Sequence, residues 1–234
     1  MDFQNILLKH KKNLDEKIAD FFQLTEEEFA DYAPEAALLV KSLEKFTLGG
    51  GKRLRSFLAL TAYYGLGGKR EIGKILVSLE LLHSYLLIHD DIIDQDVTRY
   101  HQKTFWAEYF FKNLKKSIPD EARRLHDSQS LALLGGNILN SLIFSPVLKS
   151  SFSAEVKLNL IGLLEKNQAK TGFGQLLDIY SSFTFPPADQ VLRIYHLKTG
   201  VYSIETPLEF GAILSGKYSS ALKKQIKAFA KPLG

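Results

Sequence analysis

Residues 75–94 read ILVSLELLHSYLLIHDDIID, and this stretch decides the reading of the chain. It is apolar over a length that suits a buried helix, and it ends in Asp90, Asp91 and Asp94. Carboxylates so close together repel one another, so a helix that carries them needs a positive charge between them. On a helix Asp90 and Asp94 lie one turn apart and share a face. His83, seven residues before Asp90, falls near the same face. The picture is a deep pocket with an acidic mouth. Hard carboxylates with no His or Cys at ligand spacing favour Mg²⁺ over zinc. The spacing and the loop glycine argue against a Ca²⁺-binding EF-hand. Taken alone, the same run also fits a cap or a surface acid cluster.

The rest of the composition narrows the class. At 234 residues, with 45% hydrophobic and 24% charged residues, the chain is read as one globular domain spanning 1–234. It has no cysteine, which excludes disulfides, zinc ribbons and thiol catalysis. The net charge of +4 suits an anionic ligand. No stripe of basic and aromatic residues points to nucleic acid. The N-terminal segment MDFQNILLKHKKNLDEK carries no apolar signal core, so a cytoplasmic location is expected. Glu80, His83, His89, Asp90 and Asp91 make 75–93 too polar to span a bilayer.

The periodicity is helical almost throughout and predicts an all-α bundle with a buried cavity. Leu7, Leu8, Leu14, Ile18, Phe21 and Phe22 mark a first helix, and Pro34 opens a second that reaches about Phe46. Further helices are expected over about 52–64, 70–94, 119 to the 140s, 153–182, from 190 onward, and 219–230. Residues 97–118 read as irregular. Gly172 and Gly174 are candidate bends, and Gly200 and Pro207 candidate kinks. No β-alternation of useful length is present.

Two further constellations carry charge. GGGKRLR (49–55) combines glycines that let a ligand approach the backbone with Lys52 and Arg55, which a helix would set one turn apart. Together they form a diphosphate grip, a point charge and a fork. The motif lacks the Ser or Thr of a Walker loop. Alone it reads equally well as a glycine linker before an exposed basic helix. Arg99, five residues past Asp94, is a further phosphate ligand on this reading. In GQLLDIY, Gln175 and Asp178 lie about one turn apart in an apolar helix, and Lys198-Thr199-Gly200 follows. Each of these is structural if it stands by itself.

Taken together and in this order, GGGKRLR, ELLHSYLLIHDDIID, GQLLDIY, LKTG and FGAILSG resemble the trans-isoprenyl diphosphate synthases, the polyprenyl synthetase family, from about residue 30 onward. The resemblance implies a single-domain isoprenoid synthase bundle around a deep central cavity, usually a homodimer. It implies condensation of an allylic diphosphate with isopentenyl diphosphate, head to tail. Asp90 and Asp94 would hold Mg²⁺, with Asp91 in support. Lys52, Arg55 and His83 match the isopentenyl diphosphate site. Arg99, Lys198 and Gln175 match the allylic side, Thr199 and Gln175 turn oxygens toward the cation, and Asp178 belongs to the metal-proximal network. Tyr85 and Leu86, just before the aspartates, would set chain length. One aromatic there resembles geranylgeranyl-type synthases, giving C20 with C15 close behind. An apolar product tail allows at most peripheral membrane contact.

Two departures from the family pattern stand out. Where the family has Arg-Arg-Gly, this chain has Arg99-Tyr100-His101, so a second arginine is missing, with Lys103 or His101 as substitutes. The family's second aspartate-rich motif, counted from Lys198, would fall beyond Gly234. A truncated form of a longer protein is therefore expected over a natural short homologue, with full turnover in doubt. A terpene cyclase or a head-to-head synthase would not need the GGGKRLR grip. The rival from another class is a non-catalytic or regulatory subunit that partners an active synthase.

Overall fold

A computed structural model describes residues 2–233. Its elements are α1 (Phe3–Phe29), α2 (Pro34–Leu48), α3 (Leu54–Gly65), α4 (Gly73–Ile93), a hairpin of β1 (Thr98–Arg99) and β2 (Gln102–Lys103), and α5 (Phe105–Glu108) running into a π-helical turn (Tyr109–Asn113). There follow α6 (Glu121–Leu142), α7 (Ser145–Leu148), α8 (Ala154–Ser181), α9 (Ala188–Tyr195), a second π-helix (His196–Glu205), α10 (Thr206–Leu214), α11 (Ser220–Ala230) and a final 3₁₀ turn (Lys231–Leu233). The all-α expectation holds. Two compact units share the chain: Met1–Arg53 with Gly73–Pro146, and Leu54–Ile72 with Val147–Gly234.

In the first unit, α1 buries Leu14, Ile18, Phe22 and Thr25, one stripe at helical spacing. It packs on α4, which also lies against α6. Helix α4 is buried on nearly every side, from Ile75 to Ile88, which explains why its sequence is apolar without a clear period. Asp120 caps α6 by accepting from the Arg123 amide at 2.7 Å. Helix α6 turns Leu125, Leu133, Leu134 and Ile138 outward, and Glu121–Leu148 is long and apolar enough to cross a membrane by length and composition.

In the second unit, α10 crosses α3 at backbone contact. A Cβ on Gly211 would lie 2.2 Å from the Ala59 carbonyl oxygen and 2.9 Å from Ala62 Cβ. That is the physical reason for the glycine in FGAILSG. Gly→Ala inside a helix ordinarily stabilises by about 1 kcal/mol. Here the clash reverses the sign, and Gly211→Ala is expected to destabilise by about 1–3 kcal/mol in denaturant titration. A gain in stability would show that the two helices can move apart at this crossing without cost.

Several local expectations are corrected. Helix α3 begins at Leu54 and not at residue 52, because Arg53 sits in the left-handed region at φ +56°. Residues 98–103 form a hairpin whose turn residues, Tyr100 and His101, have φ +50° and +64°. Such a two-residue turn is normally signalled by Asn-Gly, so Tyr-His concealed it. Gly172 and Gly174 do not interrupt α8, whereas Pro207 enters the first turn of α10 directly after the π-helix.

Candidate active site

The acidic motif closes α4. The Asp94 amide donates to the Asp90 carbonyl at 2.8 Å, and Gln95 ends the helix at φ +56°. Three carboxylates at a helix C-terminus also oppose the helix dipole, so their placement is doubly unfavourable without a cation. Arg99, on the hairpin, supplies one. It donates to Asp91 Oδ1 at 2.6 Å and reaches Asp90 Oδ2 and Asp96 Oδ2 at 3.4 Å each.

The three motif aspartates have different surroundings. Asp91 is fully buried, and the Trp106 indole donates to its backbone carbonyl at 3.1 Å. Its Oδ2 has no hydrogen-bond partner, and desolvation pushes its carboxyl up to about 6 against the pull of Arg99. Asp90 is half-buried and Asp94 exposed, one turn apart. The family resemblance implies Asp91 beside them as metal support. Instead, Asp91 is rotated by a single residue step into the core and is committed to Arg99. Among the described residues no three His, Cys, Asp or Glu side chains are gathered for a metal. The pair Asp90 and Asp94 nevertheless fits Mg²⁺, an ion that takes one or two carboxylates and leaves its other positions to water and phosphate.

A cavity of about 630 Å³ lies wholly within the first unit. Its walls include Gly49, Gly50, His83, Arg99, Leu87 and Phe105, with Lys41, Lys45, Lys103 and Lys112 around it and Glu108 as the acidic member. Lys45 and Lys112 both donate to Glu108, at 2.8 and 3.1 Å. Basic groups outnumber acids here, so the cavity favours an anion. The Tyr100 ring packs against Gly50, where an added Cβ would meet it at 2.2 Å. His83 lines this cavity together with the lysines.

The basic run GGGKRLR divides its cations. Lys52 is exposed and precedes α3, so the predicted helical pairing of Lys52 with Arg55 does not form. Arg53, which the sequence reading passed over, is buried. It donates to Asp15 at 2.8 Å, Glu80 at 3.3 Å and the Thr47 carbonyl at 2.8 Å. Arg55 donates to Ser203 Oγ at 2.8 Å and lies over the Tyr202 ring at 4.2 Å.

In the second unit Lys198 donates to Asp178 at 2.7 Å, and Gln175 sits about one turn before Asp178 on α8. Gly174 makes this possible, because a Cβ there would lie 2.6 Å from the Lys198 amide nitrogen. Thr199 is exposed. In the first unit Tyr85 is half-buried, its ring 4.7 Å from that of His89. His89 in turn fills the space a side chain on Gly136 would need. Leu86 is half-buried beside it.

Comparison with known proteins agrees with these motifs. A farnesyl diphosphate synthase of Micrococcus luteus is 29% identical over 92% of this chain and 69% of its own length. A short chain isoprenyl diphosphate synthase of Methanocaldococcus jannaschii is 24% identical over 92% of this chain and 60% of its own. The chain thus spans roughly two thirds of the length of the curated relatives it matches. The crystal structure of a geranylgeranyl pyrophosphate synthase from Corynebacterium glutamicum, complexed with isoprenyl diphosphate and magnesium, superposes with a TM-score of 0.89. It is 25% identical, over 100% of this chain and 66% of that one. With the aspartate turn, the lysine–aspartate pair and the glycine crossing all in place, and residues 36–234 matching the polyprenyl synthetase model, the chain belongs to the polyprenyl synthetase family.

Proposed function

We propose that residues 1–234 belong to one isoprenoid synthase domain that joins isopentenyl diphosphate to an allylic diphosphate, head to tail, giving a C20 or C15 prenyl diphosphate. The observation that carries this reading is the pair of half-buried Asp90 and exposed Asp94 at the end of a buried helix, with Arg99 against Asp90. Asp90 and Asp94 hold Mg²⁺, which when bound neutralises charge on the leaving diphosphate. Arg99 and Lys198 bind and orient the allylic diphosphate, and Asp178 holds the Lys198 ammonium in place. The allylic C–O bond breaks, and its electron pair leaves with the diphosphate. Gln175 and Thr199 turn oxygens toward the resulting allylic cation.

Lys52, Arg55 and His83 hold isopentenyl diphosphate, aided by the lysine-lined cavity that His83 shares. The isopentenyl double bond attacks the cation, and the released diphosphate takes the proton lost from the adjacent carbon. Apolar side chains along α4 keep water from the cation. A second copy of the chain covers the outward leucines of α6, in keeping with a homodimer. Water-soluble diphosphate substrates fit a cytoplasmic setting.

Calorimetry with a non-hydrolysable allylic thiodiphosphate tests the site. Binding that requires Mg²⁺ is expected, and binding indifferent to Mg²⁺ would overturn the aspartate assignment. Tyr85 forms the floor of the prenyl pocket, with Leu86 beside it. Tyr85→Ala is expected to lengthen the product by at least one C5 unit in chromatographic analysis, whereas an unaltered product distribution would remove Tyr85 from that role.

A further inference from the structure

Helix α8 and the second π-helix meet along a row of polar side chains that the proposed reaction does not use. Asn167 Nδ2 donates to Thr206 Oγ1 at 2.6 Å, and both residues are 2% exposed. Glu205, next in the chain to Thr206, is equally buried, and its Oε1 lies 3.5 Å from His196 Nε2. His196 and Glu205 are the first and last residues of the π-helix, so this contact runs from one end of it to the other. One turn along α8 from Asn167, Thr171 is buried as well. Asn167 Oδ1, Thr171 Oγ1, Gln168 Nε2 and His196 Nδ1 are buried without a hydrogen-bond partner.

Such a row costs stability, because buried polar groups with unmet hydrogen bonds are disfavoured and apolar side chains of the same shape would pack without that cost. A π-helix is itself unusual. These helices occur mostly as single turns, often at functional sites, whereas this one covers ten residues. Pro207 supplies a local cause. It lacks the N–H that an unbroken α-helix would direct to the Ser203 carbonyl, and its ring would crowd that carbonyl. Proline explains why the α register fails but not what fixes the wider register in its place. The π-helix carries Lys198, Thr199 and Gly200, and its backbone at Lys198 rests on Gly174 of α8. A shift of register would rotate Lys198 away from Asp178.

We propose that the Asn167–Thr206 hydrogen bond, with Glu205 and His196 beside it, is a positioning device that locks the π-helical register and so aims Lys198 at its diphosphate. The proposal rests on the assignment of Lys198 to diphosphate binding only for its second readout. Asn167→Leu keeps the branched heavy-atom shape of the side chain and removes the bond, while Thr206→Ser retains the hydroxyl. Hydrogen exchange read by mass spectrometry is expected to speed up at least tenfold in the peptide covering 196–206 of Asn167→Leu, with α4 and α6 unchanged and Thr206→Ser like wild type. Mg²⁺-supported binding of inorganic pyrophosphate is expected to weaken at least fivefold in the same variant.

Unchanged exchange in 196–206, or exchange that rises evenly along the chain, overturns the proposal. Faster local exchange with undiminished pyrophosphate binding overturns the link to Lys198. A wild-type protein that binds no pyrophosphate overturns the diphosphate assignment, and the exchange experiment still decides whether the bond sets the register.

Discussion

Arg53→Leu is expected to destabilise the protein by about 3–5 kcal/mol, the cost of removing one partner from a buried ion pair. The guanidinium is 3% exposed and Glu80 2%, so the substitution leaves the Glu80 carboxylate in the core of the first unit without its cation. Asp15 and the Thr47 carbonyl lose a donor in the same step. These contacts join α1, the end of α2 and α4, so their loss loosens the frame under the aspartates. The double variant Arg53→Leu, Glu80→Gln is expected to recover most of the loss, because no charge is then left buried. Urea denaturation of the three proteins checks this. Equal stability of wild type and Arg53→Leu would mean that the pair is hydrated and contributes little.

Asp90→Asn is expected to act in the opposite way, harming function and sparing the fold. The side chain is about one quarter exposed, at the mouth of the site. Removing its charge relieves repulsion with its neighbours and with the negative end of the helix dipole, so the melting temperature should hold or rise slightly. Turnover should fall about 10²- to 10³-fold, the scale on which loss of one preorganised electrostatic contact acts. A variant that turns over normally would take Asp90 out of the reaction.

How much of this could be read in advance depended on how local the signal was. Helices with a one-sided stripe, such as α1 and α2, were legible because the burial period is written in their own residues. The aspartate turn was legible because its spacing is local too. The orientation of Asp91 was not, since it depends on Arg99 and Trp106, which belong to a hairpin and a short helix hidden in an irregular-looking stretch. Arg53 stood between two basic residues and looked like part of one solvated run. Its role is decided by Asp15 and Glu80, far away in the chain. The polar row on α8 was concealed for the same reason, because Asn167 in an isolated helix looks like a surface residue. Its partner Thr206 becomes visible only when the start of α10 is laid against α8.

The most direct test of the account is product analysis after incubation of the protein with isopentenyl diphosphate, Mg²⁺ and each of the C5, C10 and C15 allylic diphosphates in turn. Prenyl diphosphates that end at C15 or C20, formed only when Mg²⁺ is present, are expected. Substrates recovered unchanged in every mixture, or products formed equally well in EDTA, would contradict it.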